Sequence, residues 1–141
     1  MHLKLLLKKY LFTLLVIAAI LYLSLAKTTP DVDMPKIPYA DKIVHGLMYF
    51  GVMLAFYFDL WRQGLQVVAL KRRSLVGALA FALFGGVVEL LQMYCTTYRS
   101  GDWWDWVADI FGVVLGVWLG HYIVPWVSKW LPRWLVGNGR R

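Results

Sequence analysis

Apolar residues in this chain do not alternate with polar ones. They run in four long blocks, Leu11 to Ala26, Ile43 to Trp61, Ser74 to Tyr94 and Trp106 to Val124. Strict alternation would mark half-buried strands, and a 3.6-residue period would mark a helix with one wet face. Blocks this continuous approach the ~20 residues an α-helix needs to cross ~30 Å of hydrocarbon. Backbone groups in lipid must pair within their own segment, so each block is expected to be helical. The pattern predicts an all-α membrane protein. It is a four-transmembrane-helix bundle forming one domain over 1–141, with both termini cytoplasmic and a short interfacial amphipathic segment over 125–141. In that segment Trp126, Trp130 and Trp134 recur at helical spacing beside Lys129 and Arg133, with a break at Pro132.

Composition agrees with the pattern. Hydrophobic residues make up 60% of the 141 and charged residues 16%, against roughly 45–50% and 25% in soluble domains. A small soluble domain has too much surface for its volume to hide that apolar fraction. Four crossings would use ~80 residues, so any chemistry is expected in the helices or at their ends. With Cys95 as the lone cysteine, an intramolecular disulfide and a cysteine-based zinc site are both excluded. Cys95 itself is read as an incidental interfacial thiol.

The net charge of +7 is informative through its distribution. Lys4, Lys8 and Lys9 precede the first block, Arg62, Lys71, Arg72 and Arg73 separate the second from the third, and Lys129, Arg133, Arg140 and Arg141 follow the fourth. Lys27, Lys36, Lys42 and Arg99 lie at the opposite ends. The positive-inside rule then places both termini in the cytoplasm. The basic excess reports topology and not nucleic-acid binding. The first block is expected to be an uncleaved anchor, with a signal peptide cleaved after Ala26 as the alternative. The segment from Thr28 to Ala40 carries Pro30, Pro35 and Pro38 and is expected to be extended.

Gly112, Gly116 and Gly120 form a ridge on one face of the fourth block. Ser74, Ala78, Ala82 and Gly86 form a small-residue stripe on the third. Small residues let helices approach closely in lipid, so these two are expected to pack together; a homodimer through the glycine ridge is the competing use.

Ionisable groups within a membrane cost ~2.5–3.5 kcal/mol each on insertion scales. Here they gather at the outer ends. Asp41, Lys42 and His45 begin the second helix, Glu89 and Gln92 share a face of the third, and Asp102, Asp105 and Asp109 share a face of the fourth, with Arg99 between. Helix capping accounts for Asp41, Asp102 and Asp105. It does not account for Glu89, which nears the C-terminus of its own helix. Asp59 and His121 lie toward the inner end, where contacts with Arg62 or lipid headgroups suffice to explain them.

The order of these residues resembles the VanZ-like family of small bacterial membrane proteins. The likeness is carried by Asp41-Lys42-x-x-His45-x-x-x-Tyr49, by Glu89-x-x-Gln92, and by Arg99-x-x-Asp102-x-x-Asp105-x-x-x-Asp109-x-x-Gly112-x-x-x-Gly116. One departure is Asp109, where many members carry Asn. The resemblance implies a multi-pass protein of the cell envelope. The founding member is associated with resistance to teicoplanin, a lipid-tailed glycopeptide antibiotic that acts at the outer face.

The expected function is therefore binding of, or action on, an amphiphile at the outer leaflet, either a lipid-linked headgroup or such a glycopeptide. Asp41, Lys42, His45, Glu89, Gln92, Arg99, Asp102, Asp105 and Asp109 are the candidate binding residues. One alternative is a structural or regulatory subunit whose polar cluster only locks the bundle. The other is a membrane-embedded hydrolase or transferase using His45 with Glu89 or Asp109. No cofactor is expected and no metal site is assigned, although a histidine beside carboxylates has the donors for one.

Overall fold

A computed structural model of the chain describes residues 2–25, 39–97 and 101–136. Among the described residues there are six helices and no strand: α1 (His2–Lys9), α2 (Leu11–Leu25), α3 (Ala40–Arg62), α4 (Val67–Cys95), α5 (Trp103–Ser128) and α6 (Arg133–Val136). Three of them, α3, α4 and α5, are long and apolar enough to cross a membrane. The apolar α2 is shorter, at 15 residues, or about 22 Å at 1.5 Å per residue. Hydrogen bonds from Tyr10 N–H to Leu6 O (3.0 Å) and from Leu14 N–H to Tyr10 O (2.9 Å) carry the helical ladder from α1 into α2.

All the helices outrun the apolar blocks that mark them, except α2. The basic run Lys71-Arg72-Arg73 lies on the exposed early turns of α4 and not in a loop. The fourth helix does not stop at Val124. It passes through Pro125 and ends at Ser128. Proline removes one N–H from the ladder, and at the next turn Ser128 Oγ donates to Pro125 O at 2.8 Å. The interfacial segment expected from 125 thus begins after Ser128. It contains a turn and the four-residue α6, with Trp130 and Trp134 about four-fifths exposed.

The ends of the helices follow from local chemistry. Asp102, extended at φ −122°, caps α5 by accepting from Trp104 N–H at 2.9 Å. After α3, Gly64 takes φ 67°, and its N–H bonds to Trp61 O at 3.0 Å. That left-handed position favours glycine and reverses the chain into α4 within a few residues.

The helix α3 is the centre of the bundle and touches α2, α4 and α5. Its most extensive neighbour is α5, and here the expected packing needs correction. The glycine ridge does not face α4. A Cβ on Gly112 would run into the Gly46 carbonyl, one on Gly116 would lie 2.6 Å from Met53 Cβ, and one on Gly120 would lie 3.0 Å from the Tyr57 ring. Residue numbers rise together along both helices, so α3 and α5 run parallel with their backbones in contact. A homodimer through these glycines would have to displace α3. The α4–α5 contact uses other small residues. Trp106 lies over Gly85 and Gly86 and donates its indole N–H to Ala82 O at 2.8 Å. Two apolar clusters fill the interior, one around Tyr49, Met53 and Val113 and one around Tyr57, Leu60 and Val124. The outward faces are apolar too. On α4, Leu75, Val76, Leu79 and Leu83 are each at least three-fifths exposed, which suits lipid and not water.

Overpacking a close contact costs about 1–3 kcal/mol. Gly112→Ala is therefore expected to destabilise the bundle by that amount. Gly51→Ala, whose added Cβ meets nothing within 4 Å, should stay within about 0.5 kcal/mol of the parent. Thermal unfolding of both variants in detergent micelles reads the difference.

Candidate functional site

The backbone contact of Gly46 with Gly112 sets the site, because His45 directly precedes the first glycine and Asp109 lies one turn before the second. His45 Nδ1 lies 3.1 Å from Asp109 Oδ1 and 3.5 Å from Glu89 Oε1. Three helices thus meet at one imidazole. All three side chains are buried. Gly85 leaves room for the Asp109 carboxylate, since a Cβ there would lie 2.8 Å from Oδ2.

Glu89 has a partner that its own helix does not reveal. Its Oε2 accepts the backbone N–H of Asp102 at 3.0 Å. The carboxylate therefore sits at the N-terminus of α5, where negative charge is favourable. Gly101 makes this approach possible, since a Cβ on it would lie 2.5 Å from Glu89 O. Among the described residues the other oxygen, Glu89 Oε1, has no hydrogen-bond partner, and neither do Asp109 Oδ2 and the buried Tyr49 hydroxyl.

A second, wetter group stands above the first. Lys42 Nζ donates to Asp102 Oδ2 at 2.8 Å and to Asp105 Oδ1 at 3.0 Å, tying the start of α3 to that of α5. The Lys42 ammonium beside it holds the Asp102 carboxyl below the usual carboxylate range, with the Trp104 N–H adding to the effect. Asp41 is exposed, and its carboxylate lies close to Asp105. Gln92 belongs elsewhere: its Nε2 donates to Ser24 O at 3.0 Å and fastens α4 to the end of α2. Arg99 lies outside the described residues.

The opposite end holds a buried acid whose partner was not foreseen. Asp59 is fully buried, and its Oδ2 accepts both the N–H and the hydroxyl of Thr13, at 2.9 and 2.8 Å. Arg62, the partner expected from sequence, lies 3.8 Å from Oδ1. The legible signal was a lone threonine in the first turn of an apolar helix. His121 is exposed and lies against the Tyr122 ring.

Beside the His45 cluster, the lipid-facing surfaces of α4 and α5 enclose a groove of about 270 Å³. Leu83, Val87, Leu90 and Met93 line it from α4, and Trp103 and Trp106 from α5. Glu89 and Asp102 are its charged residues.

The family model described as VanZ/LLP1 matches residues 6–124. The chain belongs to the VanZ/LLP1 family. That match runs from within α1 to the last turns of α5, and so takes in every residue of the His45 cluster. No curated protein matches the chain, and no solved structure does. In this VanZ-family member the resemblance rests on an assembled feature, since the histidine and both carboxylates of the motifs converge on one point.

Asp59→Ala would leave the Thr13 N–H and hydroxyl without their acceptor, and a loss of about 1–3 kcal/mol is expected. Thr13→Val, which keeps the backbone bond, should lose less. Denaturant unfolding in micelles ranks the two. A separate expectation concerns pH. The folded-state pKa of Asp102 is depressed, so its pairing with Lys42 stabilises the fold above the ordinary carboxylate range and is lost as pH falls through the depressed value. In Lys42→Met the Asp102 carboxyl should titrate closer to its ordinary range, read by carbon-detected NMR, and that part of the acid sensitivity should vanish.

Proposed function

We propose that this VanZ-family protein is a four-crossing protein of the bacterial cytoplasmic membrane, with both termini inside, that binds an amphiphile from the outer leaflet. The supporting observation is the α4–α5 groove. Its walls are apolar and open toward lipid, and its polar end adjoins the buried cluster through Glu89. An acyl chain fits the walls, and its headgroup would then lie at the end of the groove marked by Glu89 and Asp102. The candidate binding cations Lys42 and Arg99 give no support to an anionic headgroup. Lys42 is held by Asp102 and Asp105, and Arg99 is not described. Both carboxylates are engaged within the protein, Glu89 by the Asp102 N–H and Asp102 by Lys42 and the Trp104 N–H, and the surface of the groove is almost wholly apolar, so it suits the tail of an amphiphile. A sugar-bearing lipid or a lipid-tailed glycopeptide such as teicoplanin carries such a tail.

The topology has independent support. Lys8 and Lys9 lie at the same end of the bundle as Arg62, whose Nη2 reaches Lys8 O at 3.4 Å. These basic residues therefore gather at the end opposite the His45 cluster.

Native mass spectrometry of the detergent-purified protein tests the reading, with teicoplanin and the same glycopeptide lacking its acyl tail as probes. The tailed form should bind and the tailless form should bind weakly. Val87→Trp, which fills the groove, should weaken binding at least about tenfold, or ~1.4 kcal/mol. Undiminished binding in Val87→Trp would sink the proposal. Loss of stability in Glu89→Gln with retained binding would assign the cluster to locking the bundle alone.

A further inference from the structure

His45, Glu89 and Asp109 come from three helices, yet their ligand-type atoms all lie within 4.8 Å of one another. Each residue is more than nine-tenths buried. Two carboxylates face one imidazole nitrogen. Nδ1 carries at most one hydrogen, so it cannot satisfy both. Among the described residues, Glu89 Oε1 and Asp109 Oδ2 have no hydrogen-bond partner. Charge poses the same problem. With both acids ionised, even an imidazolium leaves one negative charge uncompensated in a dry site. The nearest described cation, Lys42, is already shared by Asp102 and Asp105.

A divalent cation resolves both difficulties, because two carboxylates and a neutral imidazole balance it. The spacing is suitable. Ligands about 2.1 Å from a metal stand roughly 3.0–3.4 Å apart in octahedral or tetrahedral geometry. The observed separations from Nδ1 are 3.1 Å to Asp109 and 3.5 Å to Glu89. We propose that His45, Glu89 and Asp109 form a divalent-cation site in the outer half of the bundle. One nitrogen and two carboxylate oxygens suit zinc or manganese. The overlapping group of Asp41, His45 and Asp105 is the weaker site, since Asp41 is exposed and a cation at Asp105 would compete with Lys42. The inference does not depend on what occupies the α4–α5 groove.

The test uses the full chain in detergent micelles, stripped with a chelator and titrated with zinc or manganese alone, with no amphiphile present. One ion per chain should bind and raise the unfolding temperature. His45→Ala and Asp109→Asn should each weaken binding by more than the roughly 10–100-fold typical of a second-shell change, while Asp41→Asn should leave it unaltered. Gel filtration checks that each variant folds. If His45→Ala does not fold, X-ray absorption of the wild-type complex reads the ligands directly, and one imidazole nitrogen among oxygens is expected. Absence of stoichiometric binding, affinity insensitive to both substitutions, or a spectrum without imidazole would overturn the site.

Discussion

The contact on which the rest depends is that of the α3 and α5 backbones at Gly46 and Gly112. It exists because Gly112 has no Cβ, which would run into the Gly46 carbonyl. In lipid there is no hydrophobic drive to bring two apolar helices together, so close packing and polar contacts must hold them. The glycines supply the approach. The side chains just before them, His45 and Asp109, supply the polar contact at 3.1 Å. Helix α4 then joins through Gly85, whose lack of a side chain leaves room for that same Asp109 carboxylate.

Two buried acids share a design. Glu89 accepts from the start of α5, and Asp59 accepts from the first turn of α2. In each case a carboxylate on one helix meets the positive end of another. Burying either acid alone would be costly, and a foreign helix terminus offsets that cost while fixing the order of packing. This explains why so few charges in a chain of this composition are placed so deep. They act as fasteners at the two ends of a bundle whose middle is held by shape.

Much of this was legible in the sequence, and the part that was not has a common cause. The apolar blocks located the helices to within a few residues at most ends. The larger misses were the start of α4 and the end of α5, where helix continues through polar or proline-containing sequence because ladder hydrogen bonding does not require apolar side chains. The convergence of His45, Glu89 and Asp109 was readable from depth and spacing. Partner choice was less so. A glycine ridge shows that something packs closely, not what packs there, and the ridge met α3 instead of α4. Glu89 looked misplaced only because its own helix was the frame, and the partner that explains it lies across the loop at Asp102. For Asp59 the sequence suggests Arg62 or lipid headgroups as partners, whereas the shorter bonds come from Thr13, 46 positions away.

The attachment of α2 has a consequence for the biogenesis of the chain. This helix has a basic leading end and an apolar run, like a segment made to be discarded. Yet Thr13 near its start and Ser24 near its finish are each bonded to a polar side chain in the bundle, Asp59 and Gln92. If a peptidase removed this segment, it would strip the acceptor and donor groups from both, leaving a bare carboxylate inside the hydrocarbon at one end and an amide at the other. Helix α2 is thus a stopper for two polar holes.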